Sequence, residues 1–251
     1  MPKDLIKLVA KEYNTLNYSP QLINLLSIVY PDKSFSTFTK LQLHKKLNDL
    51  LISQYKGEQQ IKYSLCKEFF NKKVVAAFEM RVNRSRTDFL TINGMSQSFE
   101  IKSSLDNLQK LNKQSLDYSQ VFDYNYIVIH PKHLIKVQEI VPPNFGIWSF
   151  NGTKKYIHRD AKLNTKIDPE IQLRLLSKKE LKAGFIEYGD NRSQIIKDYT
   201  PSEINATFKL LLKDRYRNRW DFLIRHKDSI LPIDIQFFFN TNIEPAIIYN
   251  N

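Results

Sequence analysis

Glycine and cysteine are scarce in this chain, and each shortage excludes a class of site. Only 6 of the 251 residues are glycine. Neither a G-x-G-x-x-G nor a G-x-x-x-x-G-K-[ST] segment occurs, which argues against a glycine-rich loop around nucleotide phosphates. The single cysteine, Cys66, excludes an internal disulfide and a cysteine-based zinc site. Because such a chain suits a reducing compartment, we expect a cytoplasmic protein.

Long apolar stretches are missing as well. No run approaches the roughly 20 apolar residues of a membrane-spanning helix. The amino-terminal segment over residues 1–5 lacks the apolar core of a signal peptide. We therefore expect no membrane association. Hydrophobic residues still make up 42% of the chain, which is enough for a sizeable core and argues against disorder.

Basic residues outnumber acidic ones and give the chain a formal net charge of +12. A basic surface favours a polyanionic partner, because the release of counterions drives binding to nucleic acid. The alternative is compositional, since abundant Lys, Asn, Ile and Tyr also arise from an AT-rich genome. DNA is the partner that we expect, and a homo-oligomer or a protein partner is left open.

The spacing of apolar residues predicts an α/β fold with a mixed sheet and at least one crossover. Helices are expected over 3–13, 20–30, 36–54, from Gly57 onward, and over 107–121 with Asp106 as N-cap. Strands are expected over 74–80, 88–92, 97–103 and 126–130. Later signals are a hairpin turning at Asn151-Gly152 and two capping boxes, Ser177 with Glu180 and Thr200 with Glu203.

These elements divide the chain into three expected segments. Residues 1–56 form a helical extension and residues 57–160 form the core with the sheet. Residues 161–251 form a mainly helical basic region. We predict no internal repeat and no low-complexity linker between them.

The chemistry concentrates in two neighbouring strands of the expected core. Asp88 opens one apolar run, and Glu100-Ile101-Lys102 lies inside the next. Side chains alternate along a strand, so Glu100 and Lys102 share a face while Ile101 enters the core. A divalent metal held by Asp88 and Glu100, with Lys102 beside the attacked group, is an arrangement that hydrolyses phosphodiesters.

The loop between these strands decides whether the two acids can meet. Opposed residues of an antiparallel pair share a face. A two-residue turn at Asn93-Gly94 would direct Glu100 away from Asp88. We therefore predict a three- or five-residue loop, or a bulge, with Gly94 at positive φ.

The segment from about Gly57 to about Phe150 resembles the PD-(D/E)xK, or restriction-endonuclease-like, nucleases. The resemblance is closest over residues 84–88, over 99–103, at Asp106 and over 114–123. Gln114 and Tyr118, one helical turn apart, resemble the Gln-x-x-x-Tyr helix of the RecB-like branch. The fuller pattern is also similar to uncharacterised bacterial and prophage proteins, which indicates a phage or defence context. Thr87 stands where the superfamily motif has proline.

The resemblance implies a restriction-endonuclease-like fold and a Mg²⁺- or Mn²⁺-dependent deoxyribonuclease. Asp88, Glu100 and the carbonyl of Ile101 would hold the metal, and Lys102 would position the water or stabilise the charge of the transition state. An additional glutamate from the preceding helix is common in the superfamily. Glu58 matches that position, Glu79 competes with it, and an ordinary surface salt bridge is the alternative for both.

Substrate contacts are expected from several polar and basic residues: Gln114, Tyr118, Arg84, Arg86, Lys213, Arg215 and Arg219. The last three follow the second capping box and lie among Tyr216 and Trp220, a pattern typical of a nucleic-acid-binding helix. A solvated helix face with local ion pairs is the alternative. A catalytically inactive DNA-binding protein of this fold and an RNase or toxin nuclease remain the competing functions.

Overall fold

The middle of the chain forms a mixed β-sheet whose strands, apart from the last, are mostly buried. The computed structural model describes residues 2–55, 57–151 and 154–250. In that part of the chain, six strands lie side by side in chain order. They are β1 (Val75–Val82), β2 (Ser85–Asn93), β3 (Met95–Lys102), β4 (Tyr124–Ile129), β5 (Gly146–Asn151) and β6 (Lys154–Arg159).

The sheet changes direction twice. Strands β1, β2 and β3 are antiparallel, β3, β4 and β5 are parallel, and β6 returns antiparallel to β5. Parallel neighbours need a crossover, and helices supply it between β3 and β4 and between β4 and β5. The expected mixed α/β sheet with helices around it is confirmed.

Helices occupy most of the remaining described residues. They are α1 (Lys3–Glu12), α2 (Ser19–Val29), α3 (Lys40–Gln54), α4 (Glu58–Lys67), α5 (Leu111–Ser119), α6 (Leu134–Ile140), α7 (Pro169–Arg174), α8 (Lys178–Gly184), α9 (Arg192–Asp198), α10 (Pro201–His226), α11 (Ile235–Thr241) and α12 (Pro245–Asn250). Within the described ranges, no helix combines the length and apolar character needed to cross a membrane.

The chain divides into two compact units. A helical unit contains Met1–Tyr63 together with Phe222–Asn251, and a sheet unit contains Ser64–Asp221. These units do not coincide with the three segments predicted from the sequence. In the helical unit, Asp234 near the end of the chain accepts a hydrogen bond from Thr15 at 2.9 Å. Hydrophobic spacing cannot anticipate such a return of the chain, because the pairing is between distant residues.

The two faces of the sheet have different partners. Helix α5 packs on β2 and β4, on the face that carries Glu100. On the other face, the ring of Phe89 lies 5.7 Å from Phe69 and 6.2 Å from Trp220, measured between centroids. Trp220 is 2% exposed, so its ring belongs to the core and is not available to stack on a nucleic acid.

The predicted helix caps are confirmed at two of three positions. Ser177 and Glu180 cap α8 reciprocally, and Thr200 and Glu203 form the same box before α10. The N-cap predicted at Asp106 is wrong: its Oδ2 accepts hydrogen bonds from the N–H of Ser103 at 2.7 Å and from the Ser103 hydroxyl at 2.5 Å. A short Asp side chain that satisfies a nearby turn competes with helix formation, and α5 begins only at Leu111.

The hairpin expected at Asn151-Gly152 is present as the antiparallel pair of β5 and β6. Gly152 and Thr153 lie outside the described residues. Strand β5 is almost entirely buried, whereas β6 is largely exposed. The hairpin thus closes one edge of the sheet with a polar strand, as edge strands commonly do.

A buried carboxylate joins the sheet to α10 within the sheet unit. Asp123 accepts from the backbone N–H of Ser96 at 2.7 Å, from Asn205 at 2.8 Å and from Lys209 at 3.1 Å. Burial raises the pKa of Asp123, but the hydrogen bonds from Ser96, Asn205 and Lys209 outweigh it and hold the pKa below its usual value. The charged form is therefore the one that the fold stabilises.

We expect Asp123→Ala to destabilise the sheet unit by about 3 kcal/mol, because it leaves the half-buried Lys209 without its counter-ion. Denaturant unfolding at neutral pH measures this loss. Asp214→Ala is the matched control, since Asp214 is an exposed carboxylate that pairs with Arg217 at 3.4 Å. Such surface pairs contribute only about 0–1 kcal/mol. Equal losses in the two variants would show that the Asp123 network does not stabilise the fold.

Candidate active site

The loop between β2 and β3 has an odd number of residues, as predicted, but it is shorter than the three or five residues expected. Asn93 lies opposite Met95 in the register, and Gly94 alone separates them. Gly94 has a φ of 71°, a value that glycine adopts without steric cost. The predicted parity and the predicted positive φ at Gly94 are both confirmed.

This register brings the motif acids to one face. Phe89 pairs with Phe99, so the next positions along the strands set Asp88 against Glu100. The regular ladder ends there. Instead, the N–H of Ile101 donates to Asp88 Oδ2 at 2.6 Å. A backbone hydrogen bond from β3 therefore fixes the Asp88 carboxylate at the end of β2.

Glu100 is held by three side chains. Its Oε1 lies 2.7 Å from Lys102 Nζ and accepts from Gln114 Nε2 at 2.5 Å. Its Oε2 accepts from the hydroxyl of Tyr118 at 2.6 Å. Gln114 also accepts from Lys102 at 3.1 Å. The helix positions i and i+4 place Gln114 and Tyr118 on one face of α5, and the structure brings both to the Glu-x-Lys strand.

The electrostatics of this cluster follow from its burial. Glu100 is 2% exposed, and burial raises its pKa above the usual value although Lys102, Tyr118 and Gln114 favour the charged form. Burial lowers the pKa of Lys102, but the charge of Glu100, with those of Asp88 and Asp106, outweighs it and raises the pKa overall. Lys102 is therefore a protonated ammonium at neutral pH.

Tyr118 links β3 to the start of β2. Its hydroxyl lies 2.7 Å from the carbonyl oxygen of Arg86 as well as 2.6 Å from Glu100. The single hydroxyl proton thus faces two acceptors. Burial and the charge of Glu100 raise the pKa of Tyr118 far above its usual value. Tyr118 therefore acts as a permanent donor in the site.

Glu79 lies beside Asp88 in a break of the β1–β2 ladder. Phe78 pairs with Phe89 and Met80 with Thr87, and Glu79 lies between these two pairs. Glu79 has a φ of 57°, which is uncommon for a non-glycine residue and typical of functional positions. No sequence signal at Glu79 indicated this backbone conformation.

The carboxylates of Glu79 and Asp88 offer oxygens within 4.8 Å of each other. Two oxygens on one Mg²⁺ are at most about 4.2 Å apart, so a small side-chain movement would let the pair share an ion. Carboxylate oxygens are the ligands that Mg²⁺ and Mn²⁺ prefer. The donor set therefore fits the expected metal. Glu100 would have to exchange one of its present hydrogen-bond donors to join it.

Glu58 belongs to the helical unit, where it opens α4 and pairs with Lys62 at 2.6 Å. Glu58 and Glu79 were the two candidates for the additional metal ligand. That role stays a prediction for Glu58. For Glu79, the structure supplies the proximity to Asp88 described above.

Two further residues contribute to the site in ways that the sequence did not indicate. Thr87 is fully buried, and its hydroxyl donates to the carbonyl of Phe89 at 2.9 Å and lies 3.2 Å from that of Phe99. This threonine thus links β2 to β3. Asp106, expected as a helix cap, instead adds negative charge near Lys102.

The predicted arginines of the β1–β2 turn are exposed. Arg84 follows Asn83, whose φ is 53°, at the tip of the turn. Arg86 lies 3.8 Å from Glu79 with 61% of its side chain accessible. Both side chains can reach a ligand from solvent, and their contact with substrate stays a prediction.

The basic residues of α10 divide into two groups. Arg215 forks onto Glu180 with two contacts of 2.6 Å and donates to the carbonyl of Leu175. Arg215 is therefore an anchor between α8 and α10, which argues against a substrate contact. Arg219 is exposed and Lys213 half-buried. Tyr216 and Trp220 are buried, so the aromatic interleaving expected at a DNA-binding surface is part of the core.

Comparisons with known proteins place this chain in a family of phage proteins. Residues 52–238 match the family described as bacteriophage P4 protein cII, and the chain belongs to that family. Protein cII of Enterobacteria phage P4 is 28% identical over 143 residues, which are 53% of this chain and 54% of that protein. The chain thus spans about half the length of this curated relative. The expected relationship with phage proteins is confirmed.

One solved structure is similar at a low level. The SPO1766 protein of unknown function from Silicibacter pomeroyi has 19% sequence identity and a TM-score of 0.37, over 56% of this chain and 91% of that one.

We expect Tyr118→Phe to destabilise the protein by about 1–3 kcal/mol near neutral pH, because it leaves buried acceptors without their donor. The Tyr118 hydrogen bond lowers the pKa of Glu100, so its loss raises that pKa further. The destabilisation should therefore grow as pH rises through the pKa of Glu100 and shrink at acid pH, where Glu100 is protonated.

Unfolding by denaturant across a pH series measures both effects. Tyr124→Phe, on a half-buried tyrosine of β4, is the control and should change stability little at any pH. A loss in Tyr118→Phe that is independent of pH would contradict the role of its hydroxyl in stabilising charged Glu100.

Proposed function

We propose that this protein is a Mg²⁺- or Mn²⁺-dependent nuclease of the restriction-endonuclease-like type that hydrolyses DNA phosphodiester bonds. The observation that carries the proposal is the cluster in which Lys102, Gln114 and Tyr118 all bind Glu100. A buried acid that binds a lysine contributes little to stability, because desolvation offsets the attraction, so its place next to the carboxylate pair of Glu79 and Asp88 favours a functional role. The net charge of +12 supports a polyanionic substrate.

The carboxylates of Asp88, Glu100 and Glu79 would hold the metal, with the carbonyl of Ile101 as a further oxygen. A bound divalent ion would lower the pKa of its water and neutralise charge on the phosphate. Asp88 is pre-oriented for this role by the backbone N–H of Ile101. Preorganised ligands cost little reorganisation when the substrate binds.

Lys102 supplies the cationic group of the proposed mechanism. Its side chain is 12% exposed, and its ammonium binds both Glu100 and Gln114, so its orientation is fixed. In a site of low dielectric, one fixed positive charge stabilises a developing oxyanion more than it would in water. Gln114 keeps the ammonium in place, and its amide can also contact a phosphate oxygen.

We expect Glu100→Gln and Lys102→Met each to lower cleavage of DNA by about 10²–10³-fold, as removal of a preorganised charge in an active site does. Cleavage of linear, circular and single-stranded DNA with Mg²⁺ or Mn²⁺ measures this, and EDTA should abolish it in the unmodified protein. Lys113→Met is the control, because Lys113 is an exposed neighbour on α5 and should retain full activity.

Two further variants assign the additional ligand. If Glu79 is the ligand, Glu79→Ala should raise the Mg²⁺ concentration needed for half-maximal cleavage, while Glu58→Ala should leave it unchanged. The reverse result would transfer the role to Glu58. Cleavage that persists in Glu100→Gln or in EDTA would remove the metal site from the mechanism, and cleavage of RNA alone would favour the RNase alternative.

The surface of α10 provides a separate test of DNA binding. We expect the pair Lys213→Gln and Arg219→Gln to weaken binding of all DNA sequences similarly and to flatten the plot of log K against log salt by about one unit per lost contact. Neutralising Arg217, which pairs with Asp214, is the control. An unchanged salt slope in the double variant would restrict DNA binding to the motif strands and α5.

A further inference from the structure

A cleft of about 340 Å³ lies within the helical unit, apart from the residues of the motif. It is lined by residues of α1, the end of α3, the start of α4 and the segment around α11. This volume is within the range of small-molecule sites in proteins, about 300–1,000 Å³. The chemistry of its lining indicates which ligand it accepts.

The floor of the cleft is polar, but its hydrogen-bonding groups already have partners within the protein. Asp234, which is 1% exposed, accepts hydrogen bonds from Thr15 at 2.9 Å, from Tyr249 at 2.8 Å and from Tyr13 at 3.1 Å. Asn48 donates to the Tyr13 hydroxyl at 2.9 Å. Every oxygen of this carboxylate is already in use, so the floor offers a ligand no strong anionic acceptor.

The rim is formed by neutral amides. Gln59 and Asn240 are exposed, Gln60 is half-buried, and all three line the cleft. Gln236 beside them accepts from Lys62 at 2.8 Å. None of the described lining residues is a lysine or an arginine. A phosphate group therefore has no counter-charge in this cleft, whereas a ligand with several neutral donors and acceptors has partners on several sides.

Two half-buried aromatic rings, Tyr55 and Phe237, complete the walls. Flat apolar walls with amides at the rim suit a planar, uncharged heterocycle, because Asn and Gln pair with the edges of bases and aromatic side chains stack on their faces. We propose that this cleft binds an unpaired nucleobase, either within single-stranded nucleic acid or in a free nucleoside. Bases in a duplex are not accessible in this way.

This proposal is independent of the proposed nuclease activity. Binding is therefore measured in EDTA and in a Lys102→Met background, where no cleavage is expected. The probes are adenosine and thymidine, single-stranded dA and dT oligonucleotides, and a duplex of the same length. Calorimetry reports affinity for the nucleosides, and fluorescence anisotropy reports affinity for labelled strands.

The test variant carries Gln60→Leu and Asn240→Leu, which removes two rim amides without changing charge. We expect single-stranded binding to weaken about tenfold or more, the loss typical of a bidentate amide–base contact. The loss should be the same at low and high salt, since the cleft offers no cation to phosphate. The matched control carries Gln138→Leu and Asn112→Leu, two exposed amides outside the cleft, and should bind as the background does.

The probes also separate the two sources of the base. Competition by adenosine or thymidine at concentrations similar to those of the strands assigns the cleft to a free nucleoside, and a response of the strands alone assigns it to single-stranded nucleic acid. Equal affinities of the test and control variants for every probe would overturn the proposal. A loss that disappears at high salt would overturn it as well, because the contact would then be to phosphate.

Discussion

The need to satisfy a buried carboxylate governs the organisation of the sheet unit. Glu100 is almost completely removed from water, and an ionised carboxylate in that position is unstable unless several donors surround it. Those donors come from two elements: Lys102 from the same strand, and Gln114 and Tyr118 from α5. The crossover between β3 and β4 therefore does more than connect parallel strands. It supplies the amide and the hydroxyl that stabilise the charge of Glu100. Any displacement of α5 would remove these donors and destabilise the buried carboxylate.

A second buried acid shows the same principle used for a different purpose. Asp123 binds Ser96, Asn205 and Lys209, with a pKa below its usual value, whereas the pKa of Glu100 is raised. The fold holds Asp123 firmly charged, as suits a structural link. For Glu100, burial outweighs the surrounding donors and raises the pKa, so the fold favours its charged form less strongly than that of Asp123. The excess of basic residues is correspondingly divided, because Lys209 and Arg215 neutralise buried or half-buried acids and only part of the positive charge faces solvent.

The elements that depend on local pattern could be predicted from the sequence, and those that depend on distant pairing could not. Strand alternation placed Glu100 and Lys102 on one face, and the chemistry of the two acids required the odd loop at Gly94. The positive φ of Glu79 has no such signal in the sequence, because Glu79 is an ordinary glutamate within an apolar strand. The N-cap prediction at Asp106 was wrong because an Asp that caps a helix and an Asp that closes a turn cannot be distinguished by sequence alone. The sequence likewise carries no signal for the role of Asp234 in joining the two ends of the helical unit. The metal-binding and substrate-binding roles are proposals.

The single glycine between Asn93 and Met95 has a consequence for how this chain can change over time. Because side chains alternate with a period of two, adding or deleting one residue in that loop would exchange the inner and outer faces of β3. Phe99 and Ile101 would then point toward α5, and Glu100 and Lys102 toward the aromatic layer that contains Trp220. Insertions in this hairpin are therefore tolerated only in even numbers. Among relatives, the length of this loop should vary in steps of two, however freely its residues change.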